Sequence, residues 1–458
     1  MKTIIKYSFL ILFFFGFVAC EDLTEVDFPK NQLAGEVIFQ DEATTESAMA
    51  NLYAKLRDRG TLSGSFFGVP YLMGNYADDL VYYGTSANDF DAFFTNSVTP
   101  VNETLYNIWK DTYNQIYEAN RVIEGMQENS FLPESFKNQI EAEALFVRSL
   151  LHFNLSNLFG DIPYCTTTDY EINSIVSRQD VDLVYELAIL DLEMALDKIG
   201  ATERALERIY PNKVAIQSIL ARIYAYRSDW DAVLNYTTSI ISNPEYSINP
   251  NLDSVFNKDN PSTIWQLHTG ASNQNTAEAN TYYISSTPPT FSALSEELIT
   301  SFDFNDLRRT FWIDSISDSA SNIWYYSTKY KQRDGSLAME YSIQLRLEEI
   351  YLLHAEASAQ LGDYNASQLA LNTIRNRSGL PDTLANNLET ILLAIEQEKR
   401  FEFFCEGAHR WHDLKRWGRL DDIIAPLKPN WNTTDELLPI PEKELLANEN
   451  LLPQNPGY

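Results

Sequence analysis

Two groups of side chains in this sequence have the types and spacing that could do chemistry. Glu402, Glu406, His409 and His412 lie near the end of a helical pattern at intervals of three and four, which can gather carboxylates and imidazoles around a metal ion. The same stretch carries Arg400, Arg410, Lys415 and Arg416, so carboxylate-to-guanidinium pairing that locks helices together is the expected role; no metal and no other cofactor is assigned. The second group is Cys20 and its surroundings. Lys2 and Lys6, an apolar run from Tyr7 to Val18 and the small residue Ala19 make a bacterial secretory leader too short for a stable spanning helix. A cysteine directly after it reads as a lipobox, although Phe17 stands where leucine is more usual. Acylated, Cys20 would tether the mature chain to a membrane by lipid alone. An ordinary signal peptide with an incidental cysteine is the alternative. Cys165 and Cys405 could form at most one bridge, have no metal-like spacing and are expected to be buried free thiols.

Other chemistry finds no support. There is no Gly-x-Ser-x-Gly elbow, no His-Glu-x-x-His and no phosphate-cradling glycine loop, and the chain has only 5 histidines. Glycosidase chemistry needs two carboxylates opposed across a cleft, and among 64 acidic residues chance pairs are inevitable, so counting acids proves nothing. No catalytic residue is assigned. The 64 acids face 34 bases, a net charge of −30 that becomes more negative once the leader takes Lys2 and Lys6 away. That field disfavours nucleic acid and anionic lipid faces but does not discourage neutral ligands such as glycans.

Aromatics are abundant, with 8 Trp, 26 Tyr and 25 Phe. Trp109, Trp411 and Trp417 lie in helical blocks, Trp230 fills a turn and Trp265 belongs to an apolar β-like piece, leaving Trp312, Trp324 and Trp431. A flat aromatic beside Asn, Asp, Gln or Arg can stack on the C–H face of a sugar while the polar groups bond its hydroxyls. Two segments hold that mixture, 71–94 and 273–330, and from them Tyr71, Tyr76, Tyr82, Tyr83, Asn88, Tyr282, Tyr283, Trp312, Trp324 and Tyr325 are the candidate ligand contacts. Asp78 and Asp79 read as turn or structural residues.

The elements that must position these groups are mostly helices. Apolar spacings of three and four predict helices over 43–57, 103–126, 134–159, 181–198, 213–227, 231–242, 344–361, 365–378 and 388–406. Residues 248–341 change to short β-like pieces such as 263–267, with turn residues between them. A weak repeat underlies the helices: Ala221, Asp229, Trp230 and Ala232 have the mutual spacing of Ala355, Asp363, Tyr364 and Ala366. Each set fits a helix, a tight turn and a second helix, in the manner of a tetratricopeptide-like hairpin.

Several blocks together resemble the SusD/RagB family of outer-membrane nutrient-binding lipoproteins: W-K-D-T-Y at 109–113, E-A-E-A-L-F-V-R at 141–148, L-F-G-D-I-P at 158–163, L-E-E-I-Y-L-L-H-A-E at 347–356, L-N-T-I-R-N-R-S-G-L at 371–380, E-K-R-F-E at 398–402, R-W-H-D-L-K-R-W-G at 410–418, L-P-I-P at 438–441 and Q-N-P-G at 454–457. Asp161, Asp306 and Arg308 also match family positions as turn and ion-pair residues. The resemblance implies a mainly α fold, a tetratricopeptide-like helical hairpin scaffold with a loop-rich lobe containing a few short β-strands. It divides the chain into a signal peptide at 1–19, a lipidated tether at 20–35 and a single domain at 36–458. Within that domain the scaffold would span about 36–60, 100–245 and 341–420, the ligand-binding lobe about 61–99 and 246–340, and a C-terminal segment 421–458. It further implies a cell-surface protein that binds a glycan and delivers it to a SusC/RagA-type TonB-dependent transporter, with Glu21 and Asp22 matching the acidic signal for the outer face. A peptide ligand, or a transporter lid with little affinity of its own, would be alternatives.

Overall fold

A computed structural model describes residues 38–458 apart from 86, 87, 202, 203, 272 and 336. The leader, Cys20 and the tether lie outside the described residues. The scaffold begins with α1 (Glu42–Asp58) and a short α2 (Val69–Tyr76), then the long pair α4 (Glu103–Glu128) and α5 (Glu134–Phe159), preceded by the short α3 (Asp89–Phe94). It continues with α6 (Val181–Lys198), α7 (Lys213–Tyr226) and α8 (Trp230–Ile241), and resumes about a hundred residues later with α11 (Leu347–Gln360), α12 (Tyr364–Arg377), α13 (Leu388–Phe403) and α14 (His409–Arg416). The local reasons are legible in the caps. Asn102 accepts from the Leu105 N–H at 2.9 Å to start α4, and Asn387 forms a reciprocal capping box with Thr390 to start α13.

The internal repeat is structural. Asp229 accepts from the Ala232 N–H at 3.2 Å, and Asp363 accepts from the Ala366 N–H at 2.9 Å. The two aspartates share a backbone conformation, φ −84°, ψ 78° and φ −87°, ψ 78°. Ala221 and Ala355 are fully buried, as small residues at a close helix approach should be. Three-residue connections fold α8 back on α7 and α12 back on α11, and α8 packs against α11. The two hairpins are therefore neighbours, and the chain between Ser242 and Tyr341 makes an excursion that starts and ends at their junction.

That excursion and the stretch after α2 build two antiparallel sheets from β1 (Leu80–Tyr82), β2 (Thr263–Leu267), β3 (Ser292–Leu294), β4 (Ile313–Ser317), β5 (Ile323–Ser327) and β6 (Ser342–Arg346), with the short helices α9 (Ala277–Thr281) and α10 (Leu307–Trp312) between them. The larger sheet has the order β1-β3-β5-β4, and β2 pairs with β6. Residues 61–99 hold α2, β1 and α3, more regular structure than a loop-rich stretch.

Gln344, Leu345 and Arg346 were expected in the helix that follows them; they form β6 instead. The buried strand β2 offers Trp265 opposite Leu345 and Gln266 opposite Ile343, so pairing from eighty residues away overrides the local helical period. Residues 404–406 are likewise outside α13, where Cys405 takes φ 60°. Cys165 and Cys405 are both free and buried. One apolar core runs from Met49 in α1 to Ile440 near the C-terminus.

Candidate functional site

Most of the candidate aromatics belong to that core, and this corrects the expected site. Tyr76 is fully buried against Trp411, ring centroids 4.9 Å apart, and its hydroxyl donates to the Asp435 carbonyl at 3.0 Å. Trp312 is also fully buried, its indole N–H bonded to the Leu252 carbonyl at 2.9 Å and its ring 4.9 Å from the Lys329 ammonium. Tyr71 lies inside with its hydroxyl 2.8 Å from Ser292, and Tyr282 packs beside it. Tyr82 points inward from β1. Asn88 is committed to structure: its carbonyl oxygen caps α3 by accepting from the Asp91 N–H at 2.8 Å, and its NH2 donates to the Tyr82 hydroxyl at 2.9 Å. Burial withdraws Tyr71, Tyr76, Tyr82, Tyr282 and Trp312 from stacking, although the Tyr282 hydroxyl finds no hydrogen-bond partner among the described residues, and the half-buried Asn88 is spent on local structure.

Tyr83, Tyr283 and Trp324 are different. Strand alternation explains the division, because successive side chains point to opposite faces. On β5, Tyr325 is half-buried toward the core opposite Leu294, whereas Trp324 and Tyr326 face outward opposite Ile316 and Asp314 of β4. On the outer face Val81 pairs with Ala293, and Tyr83 follows two residues later on the same side, its N–H bonded to the Phe291 carbonyl at 2.8 Å. Tyr83 meets Trp324 edge to face, centroids 6.3 Å apart at 87°. Tyr283 meets Tyr326 in the same way at 5.4 Å and 85°, and the Arg333 guanidinium lies 3.5 Å from the Tyr283 centroid. The Tyr326 hydroxyl donates to Asp314 at 3.1 Å; burial and that carboxylate together push it up to about 12, so it stays protonated and positioned.

The outer face of the four-stranded sheet thus presents Tyr83, Tyr283 and Trp324 around a small buried cluster of Tyr326, Ala293 and Ile284, beside a cation and a carboxylate. Phe67 and Phe291 are also exposed, but both pack on Phe90, which contacts the inward Tyr71 and Tyr82. Sequence reasoning left Tyr326 out of the final candidates and did not see Arg333. The period of two in I-W-Y-Y-S at 323–327 places Tyr326 with Trp324, whereas nothing local marks Arg333, which arrives from a separate loop.

The sheet is held to the scaffold by buried charge. Arg410 on α14 donates two hydrogen bonds of 2.8 Å to Asp78, which precedes β1, and Arg400 adds a contact at 2.9 Å. The Glu402 and Glu406 block is an ion-pair network, as expected. Glu402 meets Arg346 at 2.5 Å, Arg377 at 2.5 Å and Arg308 at 3.0 Å, and Arg308 also grips Asp306 at 2.7 Å. Burial alone would raise the Glu402 carboxyl; the three guanidiniums overcome it and hold it well below the usual range. Among the described residues no three His, Cys, Asp or Glu side chains gather as a metal site. Asp161 accepts from the Val181 N–H at 3.2 Å at the start of α6.

Comparison with known proteins agrees with this architecture. A family model described as starch-binding and associating with the outer membrane matches residues 33–225, and the model of the SusD family matches residues 313–432. SusD-like protein P25 of Formosa agariphila is 28% identical over 100% of this chain and 99% of its own length. A SusD superfamily protein from Bacteroides vulgatus superposes with a TM-score of 0.80 at 20% identity, over 92% of this chain and 100% of that one. A laminarin-binding SusD-like protein superposes with a TM-score of 0.75 at 22% identity, over 92% and 100% of the two chains. With one matched segment before the excursion and a second running from within it to residue 432, relatives aligned end to end and a mainly helical fold of this topology, the chain belongs to the SusD/RagB family.

Proposed function

We propose that this protein is a non-enzymatic cell-surface lipoprotein that binds a glycan on the outer face of its four-stranded sheet and delivers it to a SusC/RagA-type TonB-dependent transporter. The observation that carries the reading is the pair of edge-to-face contacts, Tyr83 with Trp324 and Tyr283 with the buried Tyr326, which leave Tyr83, Tyr283 and Trp324 reachable beside Arg333 and Asp314. Flat rings stack on the apolar faces of sugars, while a guanidinium and a carboxylate bond hydroxyls and choose among them. The laminarin-binding relative in fold supports a glycan over a peptide. Residues 1–19 leave as the signal peptide, Cys20 carries the lipid, residues 20–35 form the tether and 36–458 act as one binding domain. No described helix is long and apolar enough to cross a membrane.

Electrophoresis of the mature chain through native gels containing a glycan panel, laminarin included, tests the reading. Retarded migration that Tyr83→Ala and Trp324→Ala each weaken is the expected result; migration of the wild type unchanged by every glycan would remove it.

A further inference from the structure

On a separate part of the surface, α4, residues 163–176 and the short helix Glu442–Ala447 enclose a groove of about 390 Å³ that shares no residue with the aromatic sheet. Its volume lies at the small end of the range in which proteins hold small ligands, about 300–1,000 Å³. The groove is built in advance. The Tyr113 hydroxyl donates to the Pro163 carbonyl at 2.9 Å, the Asn120 amide to the Cys165 carbonyl at 3.0 Å and the Asn448 amide to the Val176 carbonyl at 2.8 Å, so hydrogen bonds join all three walls.

Its lining has two halves of one recognition chemistry. Trp109 and Tyr113, rings 4.9 Å apart, form an aromatic floor, and Tyr117 and Tyr170 stand at the rim with 45% and 79% of their surface exposed. The Tyr117 and Tyr170 hydroxyls and the Asn114 amide make no hydrogen bond among the described residues. Glu444 is half-buried at the groove beside Trp109, with carboxylate lone pairs left for a donor. Rings, free hydroxyls, a free amide and a carboxylate in one small groove do not match an aliphatic peptide side chain, which would leave the polar groups unpaired. An anionic ligand would meet both Glu444 and the chain's net charge of −30.

We propose that this groove is a second binding site, for a neutral mono- or disaccharide unit, with Tyr117 and Tyr170 stacking on the ring and Glu444 and Asn114 bonding its hydroxyls. The assignment rests on the glycan-binding function proposed above and adds a site to it. Two sites on one rigid body let a polymer engage both at once, raising its retention above that of a short oligomer without any new contact.

Saturation-transfer NMR of the mature chain carrying Cys20→Ala, with laminaribiose, cellobiose, maltose and lactose as probes, tests it. A form with Tyr83→Ala and Trp324→Ala is expected to keep transfer from at least one disaccharide. Adding Tyr117→Ala and Tyr170→Ala should abolish that residual signal, and Glu444→Gln in its place should weaken affinity by about tenfold. Near-UV circular dichroism of each form checks folding. If the sheet variants alone remove all transfer shown by the wild type, the groove is not a sugar site and the sheet stands. Transfer that only the groove variants remove establishes the groove and overturns the sheet. Wild-type protein silent with all four disaccharides and not retarded by any glycan gel overturns both.

Discussion

Arg410 and Asp78, 332 positions apart in the chain, are joined by two parallel hydrogen bonds of 2.8 Å in a buried setting. The pair fixes the start of β1, and with it Tyr83, to helix α14 of the scaffold. Removing one partner leaves the other charge buried with less compensation. Arg410→Ala is expected to lower unfolding free energy by about 3 kcal/mol or more, read from urea denaturation. Burial raises the Asp78 carboxyl, but the Arg410 bonds and the Arg410 and Arg400 charges hold it below its ordinary value. Its contribution is therefore complete above the unfolded carboxylate range and fades as pH falls through the lower folded value. Arg410→Ala should lose that acid-side sensitivity.

The neighbouring Asp79 titrates in the opposite sense. Burial first, and then the Asp78 carboxylate, push it up to about 7. Between pH 4 and 7 the folded chain keeps a proton that the unfolded chain releases, so this residue makes stability decline as pH rises through that window. Asp79→Asn should match the wild type near pH 4 and exceed it by about 1–3 kcal/mol at pH 8. Equal stability of the two proteins at pH 8 would contradict the assignment.

Trp312 and Trp324 should separate stability from binding. Trp312→Ala opens a cavity where a fully buried ring stood and should cost about 3–5 kcal/mol. Trp324→Ala removes a partly exposed ring and should leave the melting temperature nearly unchanged while weakening glycan retention by about tenfold or more. Calorimetry and affinity gels on the same preparations decide between the two behaviours.

The two matching aspartates give a third kind of test. Asp229→Ala and Asp363→Ala each remove an N-cap acceptor and should cost about 1 kcal/mol apiece. Chemical denaturation reads this directly. Asp229→Asn, which can still cap, should recover most of the loss.

On the function proposed above, Cys20 would place the molecule rather than shape its site. Cys20→Ala is expected to leave glycan retention intact in gels while lowering uptake by cells, measured with a labelled oligosaccharide. Loss of retention in the soluble variant would show that the tether takes part in binding.

Much of the scaffold was legible because its signals are local. The limits of α5 and α6 follow from apolar periodicity and the flanking breaks, the tight turns before α8 and α12 from an aspartate and an aromatic, and the ion-pair role of Glu402 from the density of arginines around it. The exception, Gln344 to Arg346, is the place where a strand distant in sequence pairs with the chain. The site was legible only as a pair of segments. Tyr82 and Tyr83 are adjacent, yet one is buried and the other exposed; Trp324 and Tyr325, both half-buried, lie on opposite faces of their strand.

The sequence by itself determined a mainly helical chain with repeated hairpins, an excess of acidic residues, free thiols and two aromatic-rich stretches that interrupt the scaffold. Only the tertiary structure decided which aromatics a ligand can reach. Helical periodicity is written within a few turns of one segment, but the outward face of a three- to five-residue strand depends on its partners. Here β1 pairs with β3 from more than two hundred residues away and β5 pairs with β3 in turn, and a shift of one residue in that register would exchange Trp324 for Tyr325.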